Sequence, residues 1–305
     1  MGFTKEDVQR VKLDGFLLNN NGETFSCRVI TGNGTLTAQE LADVSALAAK
    51  YGAGHCAFTT RLTVEIPGIR YEDIDAVKAG LAACGLTAGG TGAKVRPVVA
   101  CKGTVCTFGF YDTQALALKI HERFYVGMGD VRLPHKFKIT VGGCPNNCVK
   151  PNLNDFGIMG QRPPLFDEEK CRGCKVCQIE KVCRMHACAL TDGKMTRDTK
   201  ICNNCGYCVD KCPFHAVSAD EVRYKLFVGG RWGRLVRFGT ELPGLFTEEE
   251  TLDMIEKTLL LFRERGNKGE RLAAMVERLG EDEIVNALLH GDVLARRTEI
   301  LSRAF

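Results

Sequence analysis

Polar and apolar positions alternate with different periods along the first part of the chain. Residues 23–30 alternate with a period of two, which predicts a strand with one buried face. Helical spacing and β-branched runs then predict, in order, a helix over 37–51, a strand over 55–66 and a helix over 71–84. This order predicts an α+β unit over residues 1–90.

The rest of the chain shows the same mixture of periods around a segment rich in cysteine. The patterns predict a strand over 95–101, a helix over 112–124, a strand over 136–141, a hairpin over 222–238 that turns at Gly229 and Gly230, and a capped helix over 247–266 followed by two shorter helices. We therefore expect an α+β chain in four parts, with bounds at 1–90, 91–165, 166–220 and 221–305.

The cysteine-rich segment, residues 166–220, contains two runs with short and regular spacing. The two triplets are Cys171, Cys174, Cys177 and Cys202, Cys205, Cys208, and Cys212 with Pro213 closes the second run. This spacing is typical of bacterial ferredoxins with two [4Fe–4S] clusters, in which the fourth cysteine of each run binds the other cluster. Zinc is the alternative, but zinc sites use pairs of cysteines rather than triplets.

An internal repeat indicates which cysteine is the fourth ligand of the first run. Residues 212–216 read CPFHA and match residues 183–187, which read CRMHA. Cys183 is therefore the predicted ligand, and Cys188 aligns with Val217, a packing position. The predicted ligand sets are Cys171, Cys174, Cys177 and Cys212 for one cluster, and Cys202, Cys205, Cys208 and Cys183 for the other.

A second group of four cysteines stands outside that segment. Cys101 and Cys106 follow one predicted strand, and Cys144 and Cys148 follow another. Four thiolates that converge at strand ends would hold a third [4Fe–4S] cluster. Buried structural cysteine is the alternative here, and it is the explanation that we favour for Cys27, Cys56 and Cys84.

Composition and charge narrow the class of protein. The chain has 305 residues, of which 45% are hydrophobic and 26% charged, as in ordinary globular proteins. Sixteen cysteines without a signal-peptide pattern indicate metal or redox chemistry in a reducing compartment, so we expect a cytoplasmic protein. The net charge of +4 is too small to indicate nucleic acid, and no apolar run is long enough to predict a membrane span.

Taken together, these motifs resemble those of the siroheme-dependent sulfite and nitrite reductases, in particular their small anaerobic and dissimilatory branches with an inserted ferredoxin. The resemblance extends to about residue 245, and its motifs are Thr59–Arg61, Ile66–Arg70, Arg96 five residues before Cys101, Leu133–Lys138, Gly143–Cys148 and Gly229–Gly233. Two positions depart from the family pattern. Four residues rather than the usual five separate Cys101 from Cys106, and His135 stands where arginine is common.

The resemblance implies roles for individual residues. In that family the second cysteine of the Cys-x3-Cys pair bridges a cluster to the siroheme iron, which implies this role for Cys148. The family's basic residues bind the siroheme carboxylates and the substrate anion and help to supply protons; by motif match these are Arg61, Arg96, Lys136 and Lys138. Arginine forks hold carboxylates, and lysine can deliver protons as S–O or N–O bonds break. A solvated surface is the other explanation for such cations, and equally for Arg231, Arg234 and Arg237.

The function that the resemblance implies is six-electron reduction of sulfite to sulfide, or of nitrite to ammonia, by siroheme and three [4Fe–4S] clusters. Electrons would enter through the two clusters of the cysteine-rich segment. One alternative is a three-cluster electron-transfer subunit without siroheme, which the short Cys101–Cys106 spacing favours. Another is a sensor or assembly protein that binds clusters without turnover.

The resemblance also implies partners. Larger relatives with two repeats build the siroheme pocket from both halves, whereas this chain carries one such half. We therefore expect a second chain to complete the site, in a homo-oligomer or in a complex with a reductase subunit. The glycine cluster at residues 89–92 lacks the spacing of a dinucleotide site, so we expect an external electron donor, either a ferredoxin or a reductase subunit.

Overall fold

The structure of the protein is a computed structural model that describes residues 3–303. Its amino-terminal layer is an antiparallel sheet with three helices. The strands are β1 (Phe16–Leu18), β2 (Thr24–Ile30), β3 (Ala57–Phe58), β4 (Val64–Arg70) and β5 (Thr87–Ala88), and the helices are α1 (Lys5–Leu13), α2 (Ala38–Tyr51) and α3 (Ile74–Ala83). The strand order is β1-β2-β4-β3, and β5 also pairs with β2. Phe25, Cys27 and Val29 of β2 are fully buried, as its alternation predicts.

One strand predicted in this layer is wrong, and the difference matters for the site. Residues 55–66 form a hairpin of β3 and β4 rather than one strand, because the chain reverses between Thr59 and Thr63. The Thr59 N–H donates to the Thr63 carbonyl at 2.9 Å, and Leu62 adopts a left-handed conformation with φ of 58°. Arg61 therefore lies at the tip of a turn. Helix α1 and strand β1 were not predicted.

The second layer begins with three parallel strands and one helix. They are β6 (Val99–Ala100), β7 (Ile139–Gly142), β8 (Phe156–Gln161) and α4 (Thr113–Ile120), and α4 continues as a π-helical turn over His121–Val126. Asp112 caps α4 by accepting the N–H groups of Gln114 and Ala115, both at 3.0 Å. Strands β6 and β7 are shorter than predicted, so Lys136 and Lys138 precede β7 instead of lying within it.

The cysteine-rich segment folds as one short hairpin, one helix and a pair of antiparallel strands at its two ends. Its elements are β9 (Pro164–Phe166), α5 (Gln178–Val182), β10 (Cys188–Thr191), β11 (Lys194–Arg197) and β12 (Val217–Ala219). Strand β12 pairs with β9, and β10 pairs with β11. A small core of Ile179, Cys188, Met195, Cys208 and Val217 lies between them.

The chain then returns to complete the second layer. The remaining elements are β13 (Arg223–Val228), β14 (Thr240–Glu241), α6 (Glu248–Arg265), α7 (Leu272–Leu279), α8 (Glu281–His290) and α9 (Arg297–Ser302). The completed sheet has the order β14-β13-β8-β7-β6. Helix α6 begins with the predicted capping box of Thr247 and Glu250.

Two predictions for this last part need correction. The predicted hairpin over 222–238 is instead strand β13, paired with β8 on one side and β14 on the other, and its chain reverses beyond Gly229–Gly230 at a bridge between Arg231 and Arg237. Three helices rather than two follow α6 within the described residues. Between residues 3 and 303, no helix has both the length and the apolar character that a membrane crossing requires.

Candidate active site and cluster sites

Cys101 and Cys144 lie at the carboxyl ends of two neighbouring parallel strands. Strand β6 pairs with β7 through Val99–Thr140 and Ala100–Val141, so both strands leave the sheet at the same edge. The backbone N–H of Gly143 donates to Cys101 Sγ at 3.1 Å, which joins the two loops directly. The structure thus brings together two cysteine pairs that are about forty residues apart in sequence.

Two glycines keep the space around these sulfurs open. A Cβ atom at Gly103 or at Gly143 would lie 3.3 Å from Cys101 Sγ and closer still to Thr113. The Thr113 hydroxyl in turn donates to the Cys101 carbonyl at 2.7 Å and fixes the loop that follows β6. A backbone N–H aimed at a thiolate and a loop without side-chain bulk are suited to an inorganic cluster.

The Cys144 thiol interacts with the other three thiols of this group. Burial raises the pKa of Cys144, and the neighbouring thiols add to that shift, in the order Cys101, Cys148 and Cys106. Cys148 is exposed, whereas the other three are half-buried. Four cysteine sulfurs at one place are the donor set of a [4Fe–4S] cluster, so these residues fit that group.

A cleft lies between the amino-terminal layer and the second sheet. Its volume is about 290 Å³, near the lower end of ligand cavities, which span roughly 300–1,000 Å³. Six cationic side chains line it: Lys12, Arg28, Arg61, Arg96, Lys136 and Lys138. The four basic residues identified from sequence therefore lie together, and two further cations join them.

Arg61 ties the two layers together at this cleft. From the β3–β4 turn its guanidinium donates to Asn154 Oδ1 at 2.9 Å and to the carbonyls of Pro97 at 2.6 Å and Ile139 at 3.0 Å. Burial lowers the pKa of Arg61 to about 10. Its Nε is buried without a hydrogen-bond partner. Arg61 therefore acts mainly as a fixed charge, since most of its N–H groups already bind the protein.

Arg96 has more freedom to bind a ligand. It donates to the Gly90 carbonyl through one terminal nitrogen, and its buried Nε has no partner. Burial, followed by the charge of Arg28, lowers the pKa of Arg96 to about 10. A partly desolvated cation with an unused donor is the arrangement that an anion would stabilise.

Lys136 and Lys138 are held in the same positive surroundings. Burial lowers the pKa of Lys138 to about 8, with Arg61 and then Arg271 adding to the shift. Burial also lowers the pKa of Lys136, again with a contribution from Arg271. Lysines with lowered pKa values are suited to proton transfer near neutral pH.

Asp155 and Arg271 support these lysines, and sequence reasoning missed both. The Asp155 side chain is completely buried and accepts the backbone N–H of Lys138 at 2.9 Å. Both of its oxygens also accept from Arg271, each at 3.0 Å. Burial raises the pKa of Asp155, and Arg271 opposes that shift. A lone acidic residue before the apolar β8 was a detectable signal, whereas nothing in the sequence marked Arg271.

Arg28 and Lys12 were also missed. Arg28 occupies the polar side of β2, opposite the buried row, and pairs with Glu65 at 2.5 Å. It also donates to the Gly90 carbonyl at 3.2 Å, beside Arg96. A cation on the polar face of a predicted strand usually lies in solvent, so the period of two did not mark Arg28 as a site residue.

The cationic cleft and the cysteine group lie at opposite ends of the same two strands. Arg96 precedes β6 and Cys101 follows it, just as Lys138 precedes β7 and Cys144 follows it. The four residues of β7 span about 13 Å at ~3.3 Å each. The described residues that line the cleft include no cysteine. The structure does not bring the predicted basic residues and the predicted cluster ligands of one chain into one site.

The other candidates named from sequence lie outside the cleft. The Nδ1 of His135 accepts the Lys136 N–H at 2.7 Å, and burial lowers the His135 pKa. Arg237 donates to Thr240 at 2.9 Å and to Glu281 at 2.7 Å, so it holds the β13–β14 connection against α8. Arg234 is exposed.

The internal repeat of the cysteine-rich segment has the same backbone in both copies. The His186 N–H donates to the Cys183 carbonyl, and the His215 N–H donates to the Cys212 carbonyl, both at 3.0 Å. Both histidines are left-handed, with φ of 52° and 55°. The equivalence supports Cys183 and Cys212 as corresponding fourth ligands.

Cys188 occupies a packing position beside one of the predicted ligand sets. It is 5% exposed, and its thiol donates a hydrogen bond to Cys208, which lowers the pKa of Cys208. Its side chain also interacts with Cys183. Cys183 and Cys208 were assigned to one cluster from sequence alone, and the thiol between them places them close together.

No three His, Cys, Asp or Glu side chains of residues 3–303 are grouped as a site for a single metal ion. A [4Fe–4S] cluster is a different target, because each thiolate binds a different iron. The case for clusters therefore rests on the cysteine spacing and on the four-thiol group at the strand ends.

Comparison with known proteins identifies two family models in this chain. "Nitrite and sulphite reductase 4Fe-4S domain" matches residues 91–293, and "Nitrite/Sulfite reductase ferredoxin-like half domain" matches residues 18–84. The coenzyme F420-dependent sulfite reductase of Methanocaldococcus jannaschii is 34% identical over 245 residues, which cover 79% of this chain and 38% of that protein. One subunit of the anaerobic sulfite reductase of Salmonella typhimurium is 32% identical over 207 residues, which cover 62% of this chain and 59% of that protein.

Among solved structures, dissimilatory sulfite reductase I is similar, with a TM-score of 0.69 at 21% identity over 87% of this chain and 68% of that chain. This likeness confirms the predicted sulfite-reductase-like α+β fold. The chain spans 38% and 59% of the lengths of the two sulfite reductases that it matches in sequence.

Proposed function

The chain belongs to the nitrite and sulphite reductase 4Fe–4S family, and from that premise we propose that it reduces sulfite to sulfide, or nitrite to ammonia, in a six-electron reaction at a siroheme. Membership of the family confirms the resemblance inferred from the motifs and, with it, the class of oxidoreductase.

The observation that carries this proposal is the cleft with six cations. Siroheme is a polycarboxylate macrocycle and the substrate is a small anion, so both require fixed positive charge. Arg61 and Arg96 each have a buried Nε without a partner. The lowered pKa values of Lys136 and Lys138 indicate that neighbouring negative charge does not fully balance their positive charge. Residues of this kind fit a polyanionic ligand.

The arginines and the lysines identified from sequence have different roles in this proposal. Arg96 binds a carboxylate or the substrate oxyanion through its unused donor, whereas Arg61 supplies fixed charge and holds the two layers together. Lys136 and Lys138 bind the anion and hold protons at Nζ for transfer as S–O or N–O bonds break. Bound siroheme would supply the iron at which the oxyanion is reduced, and the three cysteine sets would hold the clusters that carry its electrons.

The opposed positions of cleft and cysteines support a site shared between two chains. The cations and the cluster ligands of one chain lie at opposite ends of β6 and β7. The cleft of one molecule can therefore lie against the Cys101–Cys148 group of another. A second copy is the simplest partner, because two-fold symmetry would then create two equivalent sites. The donor is external, either a ferredoxin or a reductase subunit.

The visible absorption spectrum tests the function directly. We expect protein purified anaerobically from a host that makes siroheme to show a siroheme band above broad iron–sulfur absorption, and that band to shift with sulfite or nitrite. The anion that is consumed with reduced methyl viologen as donor identifies the substrate. Protein from a host unable to make siroheme is the control. Iron–sulfur absorption alone from the siroheme-producing host would contradict the proposal and leave a three-cluster electron-transfer subunit.

A further inference from the structure

A second cavity separates the cysteine-rich segment from the cysteines at the strand ends. It has a volume of about 150 Å³. Cys144 with Pro145 and Asn146 forms one wall, and the opposite wall comes from the cysteine-rich segment, with Arg184, Met185, Asn203, Cys205 and Tyr207. Cys205 and Cys144 therefore face the same small space.

The residues on the segment's side are ligands of one predicted cluster or lie within two residues of them. Arg184 follows Cys183, and Tyr207 precedes Cys208. The Arg184 guanidinium lies 4.5 Å from the centre of the Tyr207 ring, a cation–π contact that joins the two loops of that cluster across the cavity wall. The described lining contains no residue of the first run, Cys171 to Cys177.

Backbone contacts hold the second cysteine run against the sheet. The Arg162 N–H, just beyond β8, donates to the Asn204 carbonyl at 2.9 Å. Gly206 is left-handed, with φ of 59°, and a Cβ atom there would lie 2.8 Å from the Arg162 side chain. This loop therefore packs directly on the end of the strand beside β7.

The first run packs in a different place. Lys194, on the β10–β11 hairpin, donates to the Cys171 carbonyl at 3.1 Å. Gly173 is also left-handed, with φ of 60°, and a Cβ atom there would lie 2.5 Å from the Gly193 carbonyl oxygen. Its neighbours are thus the segment's own hairpin rather than β8.

From these contacts we infer that the two clusters of the cysteine-rich segment have fixed and different positions in electron transfer. The cluster held by Cys183, Cys202, Cys205 and Cys208 is proximal to the strand-end cysteines, and the cluster held by Cys171, Cys174, Cys177 and Cys212 is distal. An external one-electron donor is oxidised at the distal side, and each electron leaves the segment past Cys205 toward Cys144. Arg184 and Tyr207 are positioning residues for this transfer. The inference rests on the clusters of the proposed function but requires neither siroheme nor substrate.

Electron paramagnetic resonance of the dithionite-reduced, full-length protein tests the order. Two nearby reduced clusters interact magnetically. The strand-end cluster is the one that Cys101, Cys106, Cys144 and Cys148 would hold. We expect Cys205→Ala to remove the magnetic interaction between the proximal cluster and this strand-end cluster. Cys174→Ala is the matched control and should leave that interaction unchanged. The opposite result, with the interaction lost in Cys174→Ala and kept in Cys205→Ala, would overturn the inference.

Glycine variants test the same order if either cysteine variant fails to assemble. Gly206→Ala should push the second run away from Arg162, weaken the magnetic interaction and slow the arrival of electrons at the strand-end cluster severalfold, with iron and sulfide content unchanged. Gly173→Ala, at a left-handed position of the distal run where the added Cβ meets the Gly193 carbonyl, should change neither. Equal effects of the two variants would contradict the inference. A spectrum without siroheme but with the expected magnetic pattern would refute the proposed function alone.

Discussion

The two ends of strands β6 and β7 carry side chains of opposite character. At the amino end, Arg96 and Lys138 join a group of partly desolvated cations, whereas at the carboxyl end Cys101 and Cys144 join a group of thiols. An anion would stabilise the first group, and a cationic iron cluster would stabilise the second. Residues that are close in sequence are thus separated by the length of a strand, so one motif carries two groups of side chains at opposite edges of the sheet.

The largest expected effect comes from the carboxyl end. Cys144→Ser removes a ligand of the strand-end cluster, so we expect one cluster's worth of iron and all reductase activity to be lost. Iron analysis and viologen-dependent activity measure the two effects. Cys84→Ser is the control, because Cys84 packs against the core of the amino-terminal layer. Full activity in Cys144→Ser would show that the cysteines at the carboxyl end take no part in the reaction.

A large but incomplete effect is expected at the amino end. Lys138→Gln removes a proton donor and should lower activity by roughly 10²–10⁴-fold, with cluster content unchanged. The pKa of Lys138 is about 8 in the folded protein, below the ordinary lysine value of 10.5. Between these two pH values the unfolded chain therefore binds more protons than the folded chain. The lysine therefore destabilises the folded state at neutral pH, and the variant should not lose stability. Lys268→Gln, on an exposed loop, is the control.

The pH profile sharpens the role of Lys138. Its charged form is lost as pH rises through about 8, so wild-type activity should fall above that pH if the ammonium binds the anion or donates the proton. This fall should be absent from the residual activity of Lys138→Gln. An identical alkaline limb in both proteins would assign the titration to another group.

Mixed oligomers test whether the two ends serve different sites. In a symmetric oligomer, Cys144→Ser should abolish activity and Lys138→Gln should lower it strongly. A mixed dimer would instead contain one site with an intact cleft from one chain and intact cysteines from the other. Coexpression of differently tagged variants, with purification through both tags, should therefore recover activity well above either variant alone. No recovery in a verified mixed oligomer would indicate that both ends of one chain meet at one site.

The smallest effect concerns stability at the amino end. Asp155→Asn leaves Arg271 without its buried carboxylate, and loss of one partner from a buried pair costs about 3–5 kcal/mol. Urea unfolding measures this change. Glu241→Gln, which breaks the half-exposed pair with Lys225, should cost less than about 1 kcal/mol. Equal stability of the two variants would contradict a structural role for Asp155.

Several elements could be predicted from the sequence because interactions between residues close in the chain determine them. The capping box at Thr247 and the buried row of β2 are in the predicted places. The predicted strand over 55–66 was wrong, because β-branched threonines occur both in strands and in hydrogen-bonded turns. The turn places Arg61 where it contacts the carbonyls of Pro97 and Ile139 in the second layer. Asp155 and Arg271, 116 residues apart, meet only in the folded protein.

Spacing, repeats and periodicity are local properties of the chain. They were therefore enough to predict the family, the mixed fold and the equivalence of Cys183 and Cys212. Which groups lie together became visible only in the folded chain. The parallel pairing of β6 with β7 placed the cations at one edge and the thiols at the other, and the packing of residues 203–206 on β8 placed one cysteine run nearer the strand-end thiols. Such choices depend on contacts between distant segments, which no local pattern encodes.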